Sequence, residues 1–330
     1  MDLAREAGEG GATPGPQLPR HWKPPAWATA LLALALIAGA VWIIYSELRA
    51  HSVAEIWRSI TELPSDAVWL AALFVAISFA ALVIDEWLSL HLMDATKSFS
   101  AVLAPAFATY SIANGLSFSF ATAPAVRTRL YRSALNQIEI AVLSGITGAS
   151  VFVGAACTVA IGFLFSAEDL EAHFVAPPLL WRAAGVLLLI PALLWLGVTF
   201  GPKGRRAIFG IHFVSPSVRR GVIQLVFSVG EWLAAAAVLY VLLPDHGGWT
   251  FPAFAAAFVA ACYLGAASGA PAGIGVFDAA ILSVSQTDQG AAATAAALIA
   301  YRFVYTIAPM VLGALVLGID FLRHHPPAKH

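Results

Sequence analysis

Six uninterrupted apolar blocks constrain this chain more than any other feature of its sequence. A helix needs about 20 mainly apolar residues to cross roughly 30 Å of hydrocarbon, and each block reaches that length. Of all residues 60% are hydrophobic and only 11% are charged, which is too little polar surface for a soluble protein. The sequence therefore predicts an all-α polytopic membrane protein. Its six predicted spans are Ala26–Ser46, Ala67–Met93, Ile138–Ser166, Leu179–Phe200, Gly221–Leu243 and Ala291–Leu322.

Two further apolar stretches, Ala101–Ala123 and Ala253–Ser285, are interrupted by Gly, Pro and polar residues. Such residues break or kink a helix, and non-helical backbone at membrane depth is tolerated only inside protein or along a wet cavity. Each stretch is therefore either a kinked span or a re-entrant hairpin that returns to the side it came from. The predicted hairpin breaks are Gly115, Pro124, Pro271, Gly273 and Gly275.

The basic residues discriminate between these two architectures, because Lys and Arg collect on the cytoplasmic side of a membrane protein. With eight full spans, the best orientation places ten Lys and Arg inside and seven outside. With six spans and two re-entrant hairpins the split becomes 14 to 3, and only Arg49, Arg58 and Arg182 remain outside. Arg302 is intramembrane in both counts. We therefore favour the hairpin architecture, with both termini cytoplasmic.

The two halves of the chain share a pattern. An acidic residue followed by Trp occurs at 86–87 and at 231–232, and Ala-Pro-Ala occurs at 123–125 and 270–272. Each half then contains two spans, a hairpin and a closing span, and three crossings turn the second half upside down. Inverted repeats with broken helices are typical of transporters. The predicted organisation is a disordered cytoplasmic tail (1–25), a membrane domain (26–322, with repeats at about 26–166 and 179–322) and a short cytoplasmic tail (323–330).

Charged residues inside the predicted membrane region are the candidate functional groups, because each costs at least a few kcal/mol to insert. Both signs are present, so we expect Arg302 to pair with Glu231 or Asp278, and Arg127 to pair with Asp85. These pairs either only hold helices together or serve a ligand. An Arg fork suits a lipid phosphate, so an anionic headgroup is the ligand we expect.

No catalytic or cofactor motif competes with this interpretation. The sequence has no Ser/His/Asp grouping, metal-ligand cluster or P-loop, and the Gly273–Gly275 spacing is too weak to indicate a dinucleotide site. Cys157 and Cys262 lie in apolar stretches and are interpreted as small buried hydrophobes. A net charge of −1 provides no field for nucleic acid. We therefore expect neither enzymatic activity, metal nor cofactor, although a lipid-modifying enzyme is a weaker alternative.

Several ordered motifs carry a family resemblance. Residues 110–119 (YSIANGLSFS), 126–132 (VRTRLYR) and 138–141 (IEIA) are followed by 269–278 (GAPAGIGVFD) and 301–305 (YRFVY). Together they resemble the membrane half of the lysylphosphatidylglycerol synthase/flippase family, the bacterial multiple-peptide-resistance protein and its stand-alone relatives. The resemblance runs from about residue 46 to residue 322. Ala270 and Ala272 stand where that family has glycines, which leaves the identity of the lipid open.

The resemblance implies a bacterial inner-membrane phospholipid flippase, with aminoacyl-phosphatidylglycerol as one candidate lipid. Full-length members add a soluble aminoacyl transferase domain, and since this chain stops at His330 we expect no synthase activity. The alternative is a non-transporting scaffold or anchor for a separate lipid synthase. Phospholipid is the expected partner, with a synthase and a second copy of the chain as further candidates. The predicted lipid-binding or translocation residues are Asp85, Glu86, Asn114, Arg127, Arg129, Glu231, Asp278, Tyr301, Arg302 and Tyr305.

Overall fold

The structure, a computed structural model, describes residues 63–324 except 94, 96, 117–118, 200–204, 209–210, 215–216, 244–245, 247, 270–272, 274 and 285–290, and also residue 31. The first predicted span, Ala26–Ser46, lies outside these residues apart from that single position. The predicted tail at 1–25, most of the tail at 323–330 and the predicted break at Pro271 also lie outside them.

The described residues are almost entirely helical. The one exception among the described elements is a two-stranded antiparallel hairpin within the second half, between residues 199 and 218, in which Arg205 pairs with Val214. In chain order the elements are α1 (Ser65–Leu92), α2 (Phe99–Leu116), α3 (Ser119–Leu130), α4 (Gln137–Phe165), α5 (Ala167–His173), α6 (Pro178–Leu188), α7 (Ile190–Thr199), β1 (Arg205–Ile208), β2 (Ile211–Val214), α8 (Val218–Leu242), α9 (Phe251–Ala267), α10 (Val276–Val284), α11 (Ala291–Tyr301), a π-helical segment (Arg302–Ile307) and α12 (Ala308–His324).

Six helical stretches of the described chain are long and apolar enough to cross a membrane. Five of them correspond to predicted spans, and α6 with α7 together form one of these. The sixth is α2, which we predicted as half of a hairpin. This helix has 18 residues. At a rise of about 1.5 Å per residue it extends about 27 Å, just short of the hydrocarbon thickness. The chain is a multi-pass membrane protein, and length alone does not assign α2 to either architecture.

The longest packed interface joins α1 and α8, which run antiparallel. The Gln224 side chain near the start of α8 donates a hydrogen bond to Ser89 near the end of α1, over 3.0 Å. One turn further along α8, Ser228 lies 3.5 Å from Asp85, which is one turn back along α1. Residue numbers thus rise on one helix while they fall on the other.

Each interrupted stretch folds back on itself. In the first, Ile112 of α2 and Val126 of α3 belong to one apolar cluster, so α3 returns along α2. In the second, the rings of Phe258 on α9 and Phe277 on α10 are 5.7 Å apart. The chain turns through Gly273, whose φ is 63°. This value lies in the left-handed region that favours glycine.

The hairpins pack against the closing helix of the other half. A Cβ on Gly313 of α12 would lie 3.3 Å from the Cα of Ala108 on α2, and one on Gly162 of α4 would lie 2.6 Å from the Cβ of Ala256 on α9. Small residues at these points allow close helix approach, as is usual in membrane bundles. The core therefore consists of α1 and α8, flanked by one hairpin-and-helix pair on each side.

Two predicted breaks are corrected by the structure. Gly115 is helical and lies one residue before the end of α2, where a Cβ would meet the Met310 sulfur at 2.3 Å. It therefore provides close packing, and the chain leaves the helix after Leu116. Pro124 lies inside α3. Its missing N–H would have bonded the carbonyl of Phe120 in the first turn of the helix, so only one hydrogen bond is lost there.

Candidate functional site

The most deeply buried charges form one ion pair between α1 and α3. Arg127 Nη2 donates to Glu86 Oε2 over 2.6 Å, and Nε donates to the same oxygen over 3.2 Å. The two side chains are 1% and 0% exposed. Tyr131 donates from its hydroxyl to Glu86 Oε1 over 2.8 Å. The remaining guanidinium contacts are with Tyr110, Ser144 and Thr147.

We predicted that Arg127 would pair with Asp85. In the structure its partner is Glu86 instead. Consecutive helical residues project about 100° apart because a turn has about 3.6 residues. Glu86 therefore faces α3, whereas Asp85 faces α4 and α8. Because both charges are fully buried and well hydrogen-bonded, removing one partner would leave the other as an uncompensated buried charge.

Asp85 lies among hydroxyl groups. Ser150 on α4 donates to its Oδ1 over 2.6 Å, and Ser228 on α8 lies 3.5 Å from the same oxygen. The two serine hydroxyls are 2.5 Å apart. The side chain is 2% exposed, and Oδ2 has no hydrogen-bond partner. Within the described residues, Asp85 has no ion-pair partner.

Glu231 occupies the middle of α8 and is 6% exposed. The hydroxyls of Ser78 and Tyr305, which are 3.0 Å apart, lie beside its carboxyl group. Its Oε2 atom has no hydrogen-bond partner. In the part of the chain that the structure describes, it has no ion-pair partner, so the predicted alternative of a pair with Arg302 is not formed.

Sequence reasoning missed the polar residues that connect these two acids. Ser78, Asp85 and Ser89 are spaced by seven and four residues and therefore share one face of α1. On α8 the spacing of four and three residues likewise places its polar residues on one face. The two faces meet between the antiparallel helices. We call this the polar stripe: Ser78, Asp85, Ser89, Gln224, Ser228 and Glu231. These helical spacings of polar residues within two apolar spans were the sequence signal that could have predicted the stripe.

The second intramembrane ion pair joins the second hairpin to the closing helix. Arg302 donates from Nη2 to Asp278 Oδ2 over 2.6 Å and from Nε to Oδ1 over 3.2 Å. The prediction that Arg302 pairs with Asp278 is thereby confirmed. Asp278 also accepts from the Gly275 amide over 2.9 Å, at the start of α10. The side chains are 9% and 22% exposed, so this pair reaches the surface through Asp278, whereas the Glu86–Arg127 pair is fully buried.

Arg302 begins a π-helical segment, which sequence analysis did not predict. The segment ends just before Pro309, whose ring would clash with the carbonyl of Tyr305 in a regular α-helix. Widening the helix relieves that clash, and π-helical turns occur often at functional sites. Tyr301 and Tyr305 stack on one another at 5.3 Å. Arg302, Tyr301 and Tyr305, which we predicted as site residues, thus share one distorted turn.

Arg129 lies away from the other predicted residues, at the end of α3. It donates from Nε to Asp320 of α12 over 2.9 Å, and Arg132 donates to the same carboxylate over 2.8 Å. Asn114 lies half-buried in the last turn of α2. The structure therefore divides the predicted charged residues among the two ion pairs, the polar stripe and the contact of Arg129 with Asp320. No group of three or more His, Cys, Asp or Glu side chains suited to a metal occurs among the described residues.

Comparisons with known proteins, like the six apolar helices, indicate a membrane protein. No family model matches the chain. The chain is 28% identical over 222 residues to the uncharacterized protein slr0712 of Synechocystis sp., covering 66% of this chain and 68% of that protein. It is 28% identical over 161 residues to the inner membrane protein YbhN of Escherichia coli, covering 47% of this chain and 49% of that protein.

The chain thus spans about half the length of the second relative. These identities do not establish a family, and the resemblance to the lysylphosphatidylglycerol flippases remains a prediction. Together with the six apolar helices, the similarity to an inner membrane protein supports a multi-pass inner membrane protein.

Proposed function

We propose that this chain is an inner-membrane phospholipid translocator and has no enzymatic activity. The observation that carries the proposal is the ion pair between Arg302 and Asp278, at membrane depth and partly exposed. Arg302 lies eight residues from the start of an apolar span beginning at Thr294, which is about 12 Å along the helix. A charge at that depth is costly to insert, so a role in a substrate pathway is its default explanation.

A lipid phosphate can exchange with Asp278 for the guanidinium of Arg302. Both ligands present two oxygens to the planar fork of donors, so the exchange keeps bidentate geometry. The turn that holds Arg302 is already distorted, and the backbone next to Asp278 turns through glycines of positive φ at 273 and 275. Acyl chains would remain in the hydrocarbon while the headgroup crosses along this polar turn.

The pair between Glu86 and Arg127 has a different role in this proposal. Its side chains are 0% and 1% exposed, so a headgroup cannot reach them without opening three helices. We therefore assign the pair to holding α1, α3 and α4 together. This assignment revises our expectation that Arg127 binds the phosphate.

Two contacts support the re-entrant topology that the proposal includes. Arg132 after the first hairpin bonds Asp320 in the closing helix, so both positions lie at one face of the molecule. Eight full spans would put these positions on opposite sides. The antiparallel packing of α1 and α8 also fits six spans with two hairpins, since eight spans would make these helices parallel.

The order of elements supports an inverted repeat. Each half contains a long helix, a folded-back helix pair and a closing helix, and each pair packs on the closing helix of the other half. We include in the proposal that the two halves are inverted copies with both termini cytoplasmic.

Lipid flipping by the purified protein in liposomes tests the function. Fluorescent phosphatidylglycerol is monitored by quenching from the outer leaflet. We expect rapid flipping with wild type, at least a tenfold loss with Arg302→Ala, and wild-type flipping with Arg182→Ala, which removes an exposed pair with Glu168. If wild type flips no phospholipid, the translocator proposal fails, and co-purification with a lipid synthase would then favour the scaffold alternative.

Cysteine labelling tests the topology separately. Cysteines placed at Arg132 and at Arg323 should both react with an impermeant reagent from the cytoplasmic side, and one at Glu171 should react from the opposite side. Labelling of the Arg132 and Arg323 positions from opposite sides would contradict the two hairpins.

A further inference from the structure

Two acids in the polar stripe, Asp85 and Glu231, have no cation to neutralise them among the described residues. They are 2% and 6% exposed, and each keeps one carboxyl oxygen without a hydrogen-bond partner. The other two intramembrane acids, Glu86 and Asp278, each contact an Arg at 2.6 Å. Burial without a cation is therefore a special property of the polar stripe.

An isolated carboxylate in an apolar interior is very unfavourable, and such a group takes up a proton instead. The groups around Asp85 can hydrogen-bond both its ionised and its protonated form. Ser150 and Ser228 carry hydroxyls that donate to a carboxylate or accept from a protonated acid. Their mutual contact at 2.5 Å has no fixed donor, so their hydrogens can rearrange as the acid changes state.

The described groups that face these acids include no cation that would compete with a proton. Around Asp85, the neighbouring Glu86 and the more distant Arg127 neutralise each other, and α4 and α8 contribute only hydroxyl and amide groups and Glu231. Around Glu231, the groups are Ser78 on α1, Asp85, Cys262 and Tyr263 on α9, Tyr301 on α11 and Tyr305 in the π segment.

The polar stripe also links the two acids to each other and to one end of the bundle. Gln224 and Ser89 bond each other near the end of α1, and Ser228 lies between Asp85 and Glu231 along α8. Glu231 in turn lies beside Tyr305, in the same turn as Arg302. Tyr305 therefore connects the polar stripe to the helical segment that carries Arg302, the proposed ligand of the lipid phosphate.

We propose that Asp85 and Glu231 bind protons in the polar stripe, and that this proton binding is coupled to the movement of an anionic phospholipid. The coupling rests on the proposed translocator function. A lipid with one negative charge that crosses together with one proton carries no net charge. Without the proton, the movement of that charge would be opposed or driven by the membrane potential.

A pH gradient across proteoliposomes tests the coupling. Fluorescent phosphatidylglycerol is distributed by the wild-type protein with one pH unit imposed and the membrane potential clamped to zero by valinomycin and potassium. One coupled proton allows up to about tenfold accumulation in the leaflet facing the alkaline side, because one unit is a tenfold difference in proton activity. Asp85→Asn should accumulate no lipid in that leaflet, and the exposed control Glu168→Gln should accumulate lipid as wild type does.

An even lipid distribution with wild-type protein, or accumulation driven by a sodium gradient instead, would overturn the coupling and leave the translocator function standing. If no lipid flips, the proposed function fails, and infrared spectroscopy still decides on proton binding. The carbonyl band of a protonated carboxylic acid at neutral pH should shrink in Asp85→Asn and in Glu231→Gln. A band absent from the wild type would overturn proton binding at these residues.

Discussion

Asp85 and Glu86 are neighbours in the chain, yet they occupy two different electrostatic environments. Glu86 accepts three hydrogen bonds, two of them from the Arg127 guanidinium. Among the described residues, Asp85 has only neutral hydroxyl and amide groups beside its carboxyl group, and one of its oxygens has no hydrogen-bond partner. The same contrast separates Asp278, which pairs with Arg302, from Glu231. The fully buried pair of Glu86 and Arg127 holds helices in place, whereas a buried acid without a cation remains able to exchange a proton.

The largest effect should follow from breaking the fully buried pair. Arg127→Ala leaves Glu86 uncompensated and should lower the free energy of unfolding by about 3–5 kcal/mol. Reversible unfolding in mixed micelles measures this. Arg132→Ala, whose side chain is 26% exposed, is the matched control and should cost less than about 1 kcal/mol. Equal losses in the two variants would show that burial does not distinguish these pairs.

A smaller loss of stability should follow from pushing apart α4 and α8, the helices beside Asp85, without changing any charge. A Cβ on Gly154 would lie 2.5 Å from the backbone oxygen of Ser228, so Gly154→Ala must push α4 from α8. We expect a loss of about 1–3 kcal/mol. Gly148→Ala on the same helix, where a Cβ meets nothing within 4 Å, should change stability by less than about 0.5 kcal/mol. A harmless Gly154→Ala would contradict the close packing at the polar stripe.

Removing the shortest hydrogen bond to Asp85 should cost less again. Ser150→Ala deletes the donor at 2.6 Å and leaves Ser228 to rotate toward the same oxygen. We expect a loss of about 1 kcal/mol, measured by the same unfolding equilibrium. A loss above about 3 kcal/mol would indicate that Asp85 is an ionised group that depends on this donor, against proton binding.

The smallest effect should follow from replacing Asp85 with its neutral isostere. If this acid is protonated in the folded protein, Asp85→Asn changes no charge and should alter stability by less than about 1 kcal/mol. Glu86→Gln is the matched variant one residue away, and it should cost about 3 kcal/mol or more because Arg127 then remains buried and unpaired. A larger loss of stability in Asp85→Asn than in Glu86→Gln would contradict the difference between the two acids.

Much of the fold was predictable from hydropathy, because span length and apolar content depend only on local sequence. The fold-back of the second interrupted stretch was also predictable, from Gly273 and Gly275. Partner choice was harder to predict. Whether Arg127 meets residue 85 or residue 86 depends on the rotation of α1 against α3, which no local pattern fixes. The π-helical segment was likewise not predicted, although Pro309, to which we attribute it, is apparent in the sequence.

The flipping rate of Glu231→Gln tests the central claim most directly, namely that unpaired acids inside the membrane serve transport and not stability. Wild type and variant are reconstituted at equal amounts of folded protein and compared in the fluorescent-lipid assay. We predict a flipping rate at least tenfold below wild type, with the free energy of unfolding changed by less than about 1 kcal/mol. A wild-type flipping rate in Glu231→Gln would contradict the claim.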